Sequence, residues 1–281
     1  MGIPLLRLIM EKHILKRRKK KNSNAIALPI RVSLIIIFIL FWEMIAKNNV
    51  KIAFYTSYPS EIFLDLIGFI QTGDAWVHIG TTVKEAYLGL FYGTVIGIGL
   101  GVLFSQFQIF GKIFVPIISV VQGIPQLTLA PLYILWFGIG FTSKVVLASL
   151  MVFFNVFFST YNAIKNIDQR LIESAALLGA GKYQILWHIV IPTSMPWIMS
   201  GIRIGSSVCM VGAIIGEYIG ASKGLGWMVT YASSFFQIKR VMACIFILMI
   251  IGLFVTWLLE KAECYVLRWR AETNLAMQSA R

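Results

Sequence analysis

Six long apolar stretches, parted by short polar ones, constrain this chain more than any other feature. They run from about Pro29 to Ala46, Val83 to Phe104, Ile113 to Phe137, Lys144 to Tyr161, Thr193 to Gly216 and Val241 to Leu259. Each approaches the ~20 residues that carry a helix across a bilayer. In hydrocarbon every backbone N–H and C=O must be bonded within its own segment or a closed barrel, so runs of this length are predicted to be helices. Charge is scarce to match: 13% of the 281 residues are charged, about half the share in a soluble domain. The reading is an all-α membrane protein with about six transmembrane helices. A shorter amphipathic stretch (Ile62, Phe63, Leu66, Ile67, Ile70) follows Pro59. It is too short to span and is predicted to lie at the interface.

The net charge of +13 is unevenly placed. Arg7, Lys12, Lys16, Arg17, Arg18, Lys19, Lys20 and Lys21 stand against Glu11 alone, so residues 1–28 hold +7 and leave 13 − 7 = +6 for the rest. A basic run just ahead of a first span reads as a topology signal resting on anionic lipid, not as a nucleic-acid site. It is long for a signal-peptide n-region, and no small-x-small cleavage pattern follows the first apolar run, which is therefore read as a retained anchor. Six spans bring both termini to one side, and the basic tail assigns that side to the cytoplasm. The expected organisation is a cytoplasmic tail over 1–28, a transmembrane domain over 29–265 and a short cytoplasmic tail over 266–281 that carries Arg268 and Arg270.

Cys209, Cys244 and Cys264 lie in or beside apolar segments and read as small hydrophobes, while His13, His78 and His188 are scattered. Neither set has metal-ligand spacing. No Gly-x4-Gly-Lys-[Ser/Thr] occurs, since Gly181-Lys182 is followed by Tyr183, so this chain is not expected to hydrolyse ATP itself.

Between the fourth and fifth apolar stretches lies a polar insert, Glu173-Ser-Ala-Ala-Leu-Leu-Gly179 through Ile189-Val-Ile-Pro192. Its pattern predicts helix, break, helix. Asp168 suits an N-cap, Leu171, Ala175 and Leu178 share a face, and Gly179 suits the stop. A second short helix is predicted from Lys182 to Pro192, with Pro192 opening the next helix. The spacing Glu-x-Ala-x3-Gly-x9-Ile-x-x-Pro resembles the Glu-Ala-Ala loop of the membrane subunits of bacterial ATP-binding-cassette importers. Ser174 stands where that pattern has Ala, and Ile191 where it has Leu. The resemblance implies a cytoplasmic coupling helix, with Glu173, Ala175, Gly179, Ile189 and Pro192 meeting an ATPase subunit. It further implies two ATPase subunits that bind ATP and magnesium, an extracytoplasmic solute-binding protein, and no cofactor on this chain. No internal repeat is visible, so the unit reads as half of a pathway and a homodimer is expected.

The second span carries Gly89, Gly93, Gly97 and Gly101 at i, i+4 spacing, a ridge without side chains on which another helix can pack. The third is interrupted by Pro116, Pro125 and Pro131. Broken backbone at membrane depth needs protein or a water-filled cavity beside it, which makes Pro125, Pro131 and Trp136 candidates for a pathway wall. The run from Gly123 to Gly140, with Glu217-Tyr218 and Gly224-Leu225-Gly226, resembles the nitrate, aliphatic sulfonate and taurine branch of these permeases. That resemblance implies a sulfonate-, nitrate- or taurine-like solute.

Arg203, about 10 residues into the fifth span, is predicted near mid-membrane, where an unpaired cation costs at least ~2.5–3.5 kcal/mol. Glu217 lies about 21 Å further along the same helix and cannot pair with it there. Both are pathway or gating candidates, with Glu217 expected at the outer end of the span. Glu43, Lys84 and Glu85 are expected at interfaces. An ion-coupled carrier or passive channel is the rival reading; a coupled carrier would place acids within its spans. A membrane-embedded enzyme would need a nucleophile–base or metal cluster, and none is visible.

Overall fold

The computed structural model describes residues 29–269. The basic tail and the last twelve residues, Arg270 among them, lie outside that range. The chain divides into two compact units, one ending at Asp65 and the other beginning at Leu66.

In the first unit, α1 (Pro29–Asn48) is apolar along its length, and its side chains stay largely uncovered within the chain. Asn49 caps α2 (Val50–Thr56) by accepting from the Lys51 and Ile52 N–H groups. Glu43 near the end of α1 pairs with Lys47 at 2.6 Å. It also accepts from the N–H and hydroxyl of Ser60, which holds the start of α3 (Pro59–Gln71).

The second unit is built on α4 (Asp74–Gln106), α7 (Phe141–Lys165) and α10 (Ile191–Gly220). The glycines of α4 fix how two of them meet. A Cβ on Gly89 would lie 2.5 Å from Ala148 Cβ, one on Gly93 2.5 Å from Ser149 O, one on Gly97 2.9 Å from Val156 Cβ, and one on Gly101 2.8 Å from Thr160 Cβ. Those partners rise in step along α7, so α4 and α7 are parallel. Gly201, Gly205, Gly212 and Gly216 of α10 meet Ser159, Val152, Ala148 and Lys144 in descending order, so α10 is antiparallel to both. Close backbone approach along glycine ridges replaces the hydrophobic drive that helices lack in lipid.

Parallel α4 and α7 require the chain between them to return. It does so through α5 (Gln108–Gly123), a 3-10 turn (Gln126–Leu129) and α6 (Ala130–Phe137), whose two halves are bent by 84°. With α1, α4, α7, the run 182–220 and α12 (Ile238–Val266), this gives up to six crossings, all by helices. Of the three prolines expected to break the third span, only Pro125 sits at the bend. Pro116 lies inside α5, and Pro131 occupies the first turn of α6, where its missing N–H is harmless. Gln126 stitches the bend. Its amide donates to the Val121 and Ile124 carbonyls, and its Oε1 accepts from the Tyr133 hydroxyl.

Two boundaries differ from the sequence reading. α4 begins at Asp74, not near Val83, and its extra turns carry His78 and Thr82. The helix expected to stop at Pro192 does not stop. α9 (Lys182–Ile185), a π-helical turn (Leu186–Val190) and α10 form one run of 39 residues, about 58 Å long. The wide turn just ahead of Pro192 accommodates the residue that cannot donate.

Candidate functional site

One end of the bundle carries the connection from α7 to α10; we term it the loop end. Asp168 accepts from the Arg170 N–H and caps α8 (Gln169–Leu177). The helix closes as a Schellman turn: Ala180 N–H donates to Ala175 O, Gly179 N–H donates to Ala176 O, and Gly179 takes φ +86°. Gly181 N–H then donates to Gln184 Oε1 at the start of α9. Glu173 and Gly179 are exposed, while Ala175, Ile189 and Pro192 are half-buried. The apolar residues of this polar loop do not fold inward. Leu177 is 89% exposed, Leu178 90% and Tyr183 82%, and Trp187 is exposed beside them.

The opposite end holds a buried polar clasp that the sequence did not foreshadow. α11 (Leu225–Ser234) starts there with three N–H groups that have no partner within the helix. Gly224 N–H donates to His78 Nδ1 at 3.0 Å, Leu225 N–H to Thr82 Oγ1 at 2.8 Å, and Gly226 N–H to Glu217 Oε2 at 2.6 Å. The Thr82 hydroxyl donates to Glu217 Oε1 at 2.6 Å. One turn further along α4, Glu85 is paired with Lys144 of α7 at 3.3 Å. Glu85 and Glu217 are each only 1% exposed. The Gly-Leu-Gly stretch gains a physical reason here. Gly224 sits at φ +118°, and a Cβ on Gly224 or Gly226 would strike the Glu217 carboxylate. One expectation is corrected: Glu85 is not exposed at an interface but buried between α4 and α7. Glu217 stands in the last turn of α10, at the end of the span as expected, and its carboxylate turns inward to hold α11. His78, Thr82 and Glu217 stand up to 146 residues from their partners, so no local pattern announces them.

Arg203 pairs with Glu263, beyond the apolar run of α12, at a level between the Gly201–Ser159 and Gly205–Val152 contacts of α10 with α7. Pro125, at the bend, and Pro131, in the first turn of α6, are both exposed. Trp136 lines an open apolar cavity of about 640 Å³ with Leu88, Tyr92, Ile96 and Tyr133. A second, polar cavity of about 480 Å³ lies at the loop end among Gln122, Asn155, Ser159, Asn162, Thr193 and Trp197. The pathway candidates are therefore dispersed: Trp136 lines one cavity, Arg203 is in an ion pair, Glu217 is in the clasp, and none of these lines the polar cavity. Among the described residues no group of three His, Cys, Asp or Glu could hold a metal ion.

Comparison with known proteins agrees with this architecture. Residues 93–263 match the model of the binding-protein-dependent transport system inner membrane component family. The chain is 30% identical to a putative aliphatic sulfonates transport permease protein of Bacillus subtilis over 235 residues, 83% of this chain and 85% of the relative. It is 31% identical to a formylaminopyrimidine transport permease protein of Halalkalibacterium halodurans, over 69% of this chain and 78% of the relative. A chain of the MetNI methionine ABC transporter, solved in inward-facing conformations, shares the fold with a TM-score of 0.57 at 19% identity, over 70% of this chain and 96% of that one. A glycine-ridged helical bundle with a broken span and a helix–Gly–helix loop, matched over most of its length, thus belongs to the binding-protein-dependent inner-membrane component family, and the chain is a multi-pass permease of the ATP-binding-cassette type.

Proposed function

We propose that this permease is the non-catalytic half of an ATP-driven importer, working as a homodimer with two ATPase subunits and an extracytoplasmic solute-binding protein. ATP and magnesium would be held by the ATPases. The loop end then faces the cytoplasm together with both termini, and the clasp end faces outward.

The observation that carries this reading is the exposure of Leu177, Leu178 and Tyr183 around a left-handed Gly179. An apolar patch on an otherwise polar loop marks a surface for a partner. The patch is also mechanically connected. α9 runs without a stop into α10, and α10 packs on α7 through Gly201, Gly205, Gly212 and Gly216. Displacement of the loop by a closing ATPase would therefore move a rigid helix within the bundle instead of being lost in slack backbone. Glu173, on the exposed face of α8, and the half-buried Ala175, Ile189 and Pro192 are the proposed coupling residues.

Family membership leaves the cargo open, because the named relatives carry a sulfonate label in one case and a pyrimidine in another. A sulfonate-, nitrate- or taurine-like solute remains the sequence-level proposal. The test is co-expression with the ATPase subunits. Wild-type permease is expected to retain them through purification and to drive ATP-dependent uptake. The Glu173→Lys/Gly179→Val protein should insert and stay folded but lose both. Retention of ATPase and uptake by that double variant would refute the coupling role.

A further inference from the structure

Resting on that permease reading, we infer that the loop-end half of the solute pathway is a water-filled vestibule that ends at the bend, and that a stripe on α7, Asn155, Ser159 and Asn162, lines it. This moves the wall from Pro125, Pro131 and Trp136 of the broken span, where the sequence places it, to the neighbouring helix. α7 is apolar for most of its length, yet these three polar residues recur at intervals of four and three and so share one face. Asn155 stands about 15 Å inside the end of α7 at Lys165. Its neighbour Val156 meets the glycine seam at Gly97. A polar side chain at that depth is costly unless protein or water bonds it. Other elements do not bond these. The Asn155 amide turns back to the Met151 carbonyl of its own helix at 2.8 Å. Ser159 and Asn162 make no side-chain hydrogen bond among the described residues, and neither do Gln122 of α5 and Thr193 of α10 across the same space. All five open onto the polar cavity of about 480 Å³, a volume within the ~300–1,000 Å³ of small-molecule sites. Donors and acceptors left free around one space of that size are what a hydrated path through a membrane requires.

The vestibule is blind toward the clasp end. Just beyond Gln122 the chain bends by 84°, and α6 lies against α7. Ala130, Tyr133 and Leu147 are buried together there, with Leu150, Met151 and Ile215 packed on them. Leu147 stands about two turns beyond Asn155 along α7, so an apolar plug follows the polar stripe on the same helix. The bonds of Gln126 to the Val121 and Ile124 carbonyls and to the Tyr133 hydroxyl hold that plug in place. At the other end the rim is Asn166, Ile167 and Asp168. Asn166 closes α7 and Asp168 caps α8, so the mouth opens at the joint from which the proposed coupling helix departs. Displacement of α8 by an ATPase would therefore act on the rim of the vestibule directly.

The test uses the nucleotide-free permease–ATPase complex in nanodiscs, with Cys209, Cys244 and Cys264 replaced by Ala. Single cysteines are introduced as Asn155→Cys, Ser159→Cys and Asn162→Cys on the stripe and as Leu147→Cys in the plug. Val95→Cys, on the face of α4 opposite the glycine seam and exposed there, is the control. Each thiol is reacted with a trimethylammonium-bearing and with a sulfonate-bearing methanethiosulfonate, both membrane-impermeant, so that the charge of one reagent does not decide the result. The stripe cysteines are expected to react with at least one reagent ten-fold or more faster than Leu147→Cys and Val95→Cys. Stripe rates no higher than that of Val95→Cys, or a Leu147→Cys rate equal to that of Asn155→Cys, would overturn the assignment. A second variant, Asn155→Leu/Asn162→Leu, removes two amides that hold no other element, and its thermal midpoint should match the wild type. A clear fall would make the amides structural ties and overturn their lining role. Retention of the ATPase separates the two readings. A complex that keeps its ATPase while the stripe stays silent loses only the vestibule, whereas a wild-type complex that never forms refutes the permease reading itself.

Discussion

The two ends of the α4–α7–α10 bundle are built on opposite terms. At the clasp end polar groups are buried and held by other parts of the same chain: His78, Thr82 and Glu217 take the first N–H groups of α11, and Lys144 forms an ion pair with Glu85. At the loop end apolar groups are exposed, and Leu177, Leu178 and Tyr183 are left largely uncovered by the described residues. One end is completed by the chain itself. The other is the surface proposed for a partner. The contrast separates substitutions that should unfold the protein from those that should leave it folded and idle.

The largest loss of stability is expected at the clasp. Lys144→Met would leave the Glu85 carboxylate buried without its ammonium, and breaking one partner of a buried pair costs about 3–5 kcal/mol. Thermal unfolding in detergent should show a large drop, and Lys144→Met/Glu85→Gln should recover much of it. A wild-type midpoint for the single variant would show that the clasp does not hold this end. Next comes the glycine seam. Gly93→Leu meets the backbone of α7 at Ser149 and should cost about 1–3 kcal/mol or more by overpacking. Gly99→Leu, on a face with nothing within 4 Å, should cost far less. Equal losses at both sites would remove the seam from the account.

At the loop end the effects turn from stability to function. Gly179→Val forces a β-branched residue into the left-handed region at a cost of about 1–2 kcal/mol, confined to a loop that carries little of the core. The unfolding midpoint should hardly move while ATPase retention falls. A parallel drop in midpoint would mean that the loop is part of the core after all. The smallest change is expected for Arg203→Met. Its pair with Glu263 is partly solvated, and such pairs contribute about 0–1 kcal/mol. A shift well beyond that would show the pair to be a structural tie between α10 and α12.

What could be read from the sequence follows the same division. The loop end was legible because its signals are local. An N-cap at Asp168, a stop at Gly179 and a regular four-residue glycine repeat each speak through neighbours a turn or two away. The clasp was illegible because its residues come from α4, α7, α10 and the start of α11, so Glu85 looked like an interfacial charge and nothing tied Glu217 to α11. Helix lengths failed for a related reason. Pro192 reads as a boundary in isolation, but a π-helical turn before it lets the helix continue. Glu263, the partner of Arg203, lies 60 residues away and carries no signal of its own.

Hydrogen exchange of the permease in nanodiscs, with and without its ATPase subunits, tests the contrast between the two ends most directly. The expected result is slow exchange at Gly224, Leu225 and Gly226 in both samples, since their N–H groups are already bonded within the chain. Protection should appear across 169–187 only when the ATPase is bound. Unchanged exchange across 169–187 with the ATPase demonstrably bound would contradict the docking role of this loop, and fast exchange at the start of α11 would contradict the clasp.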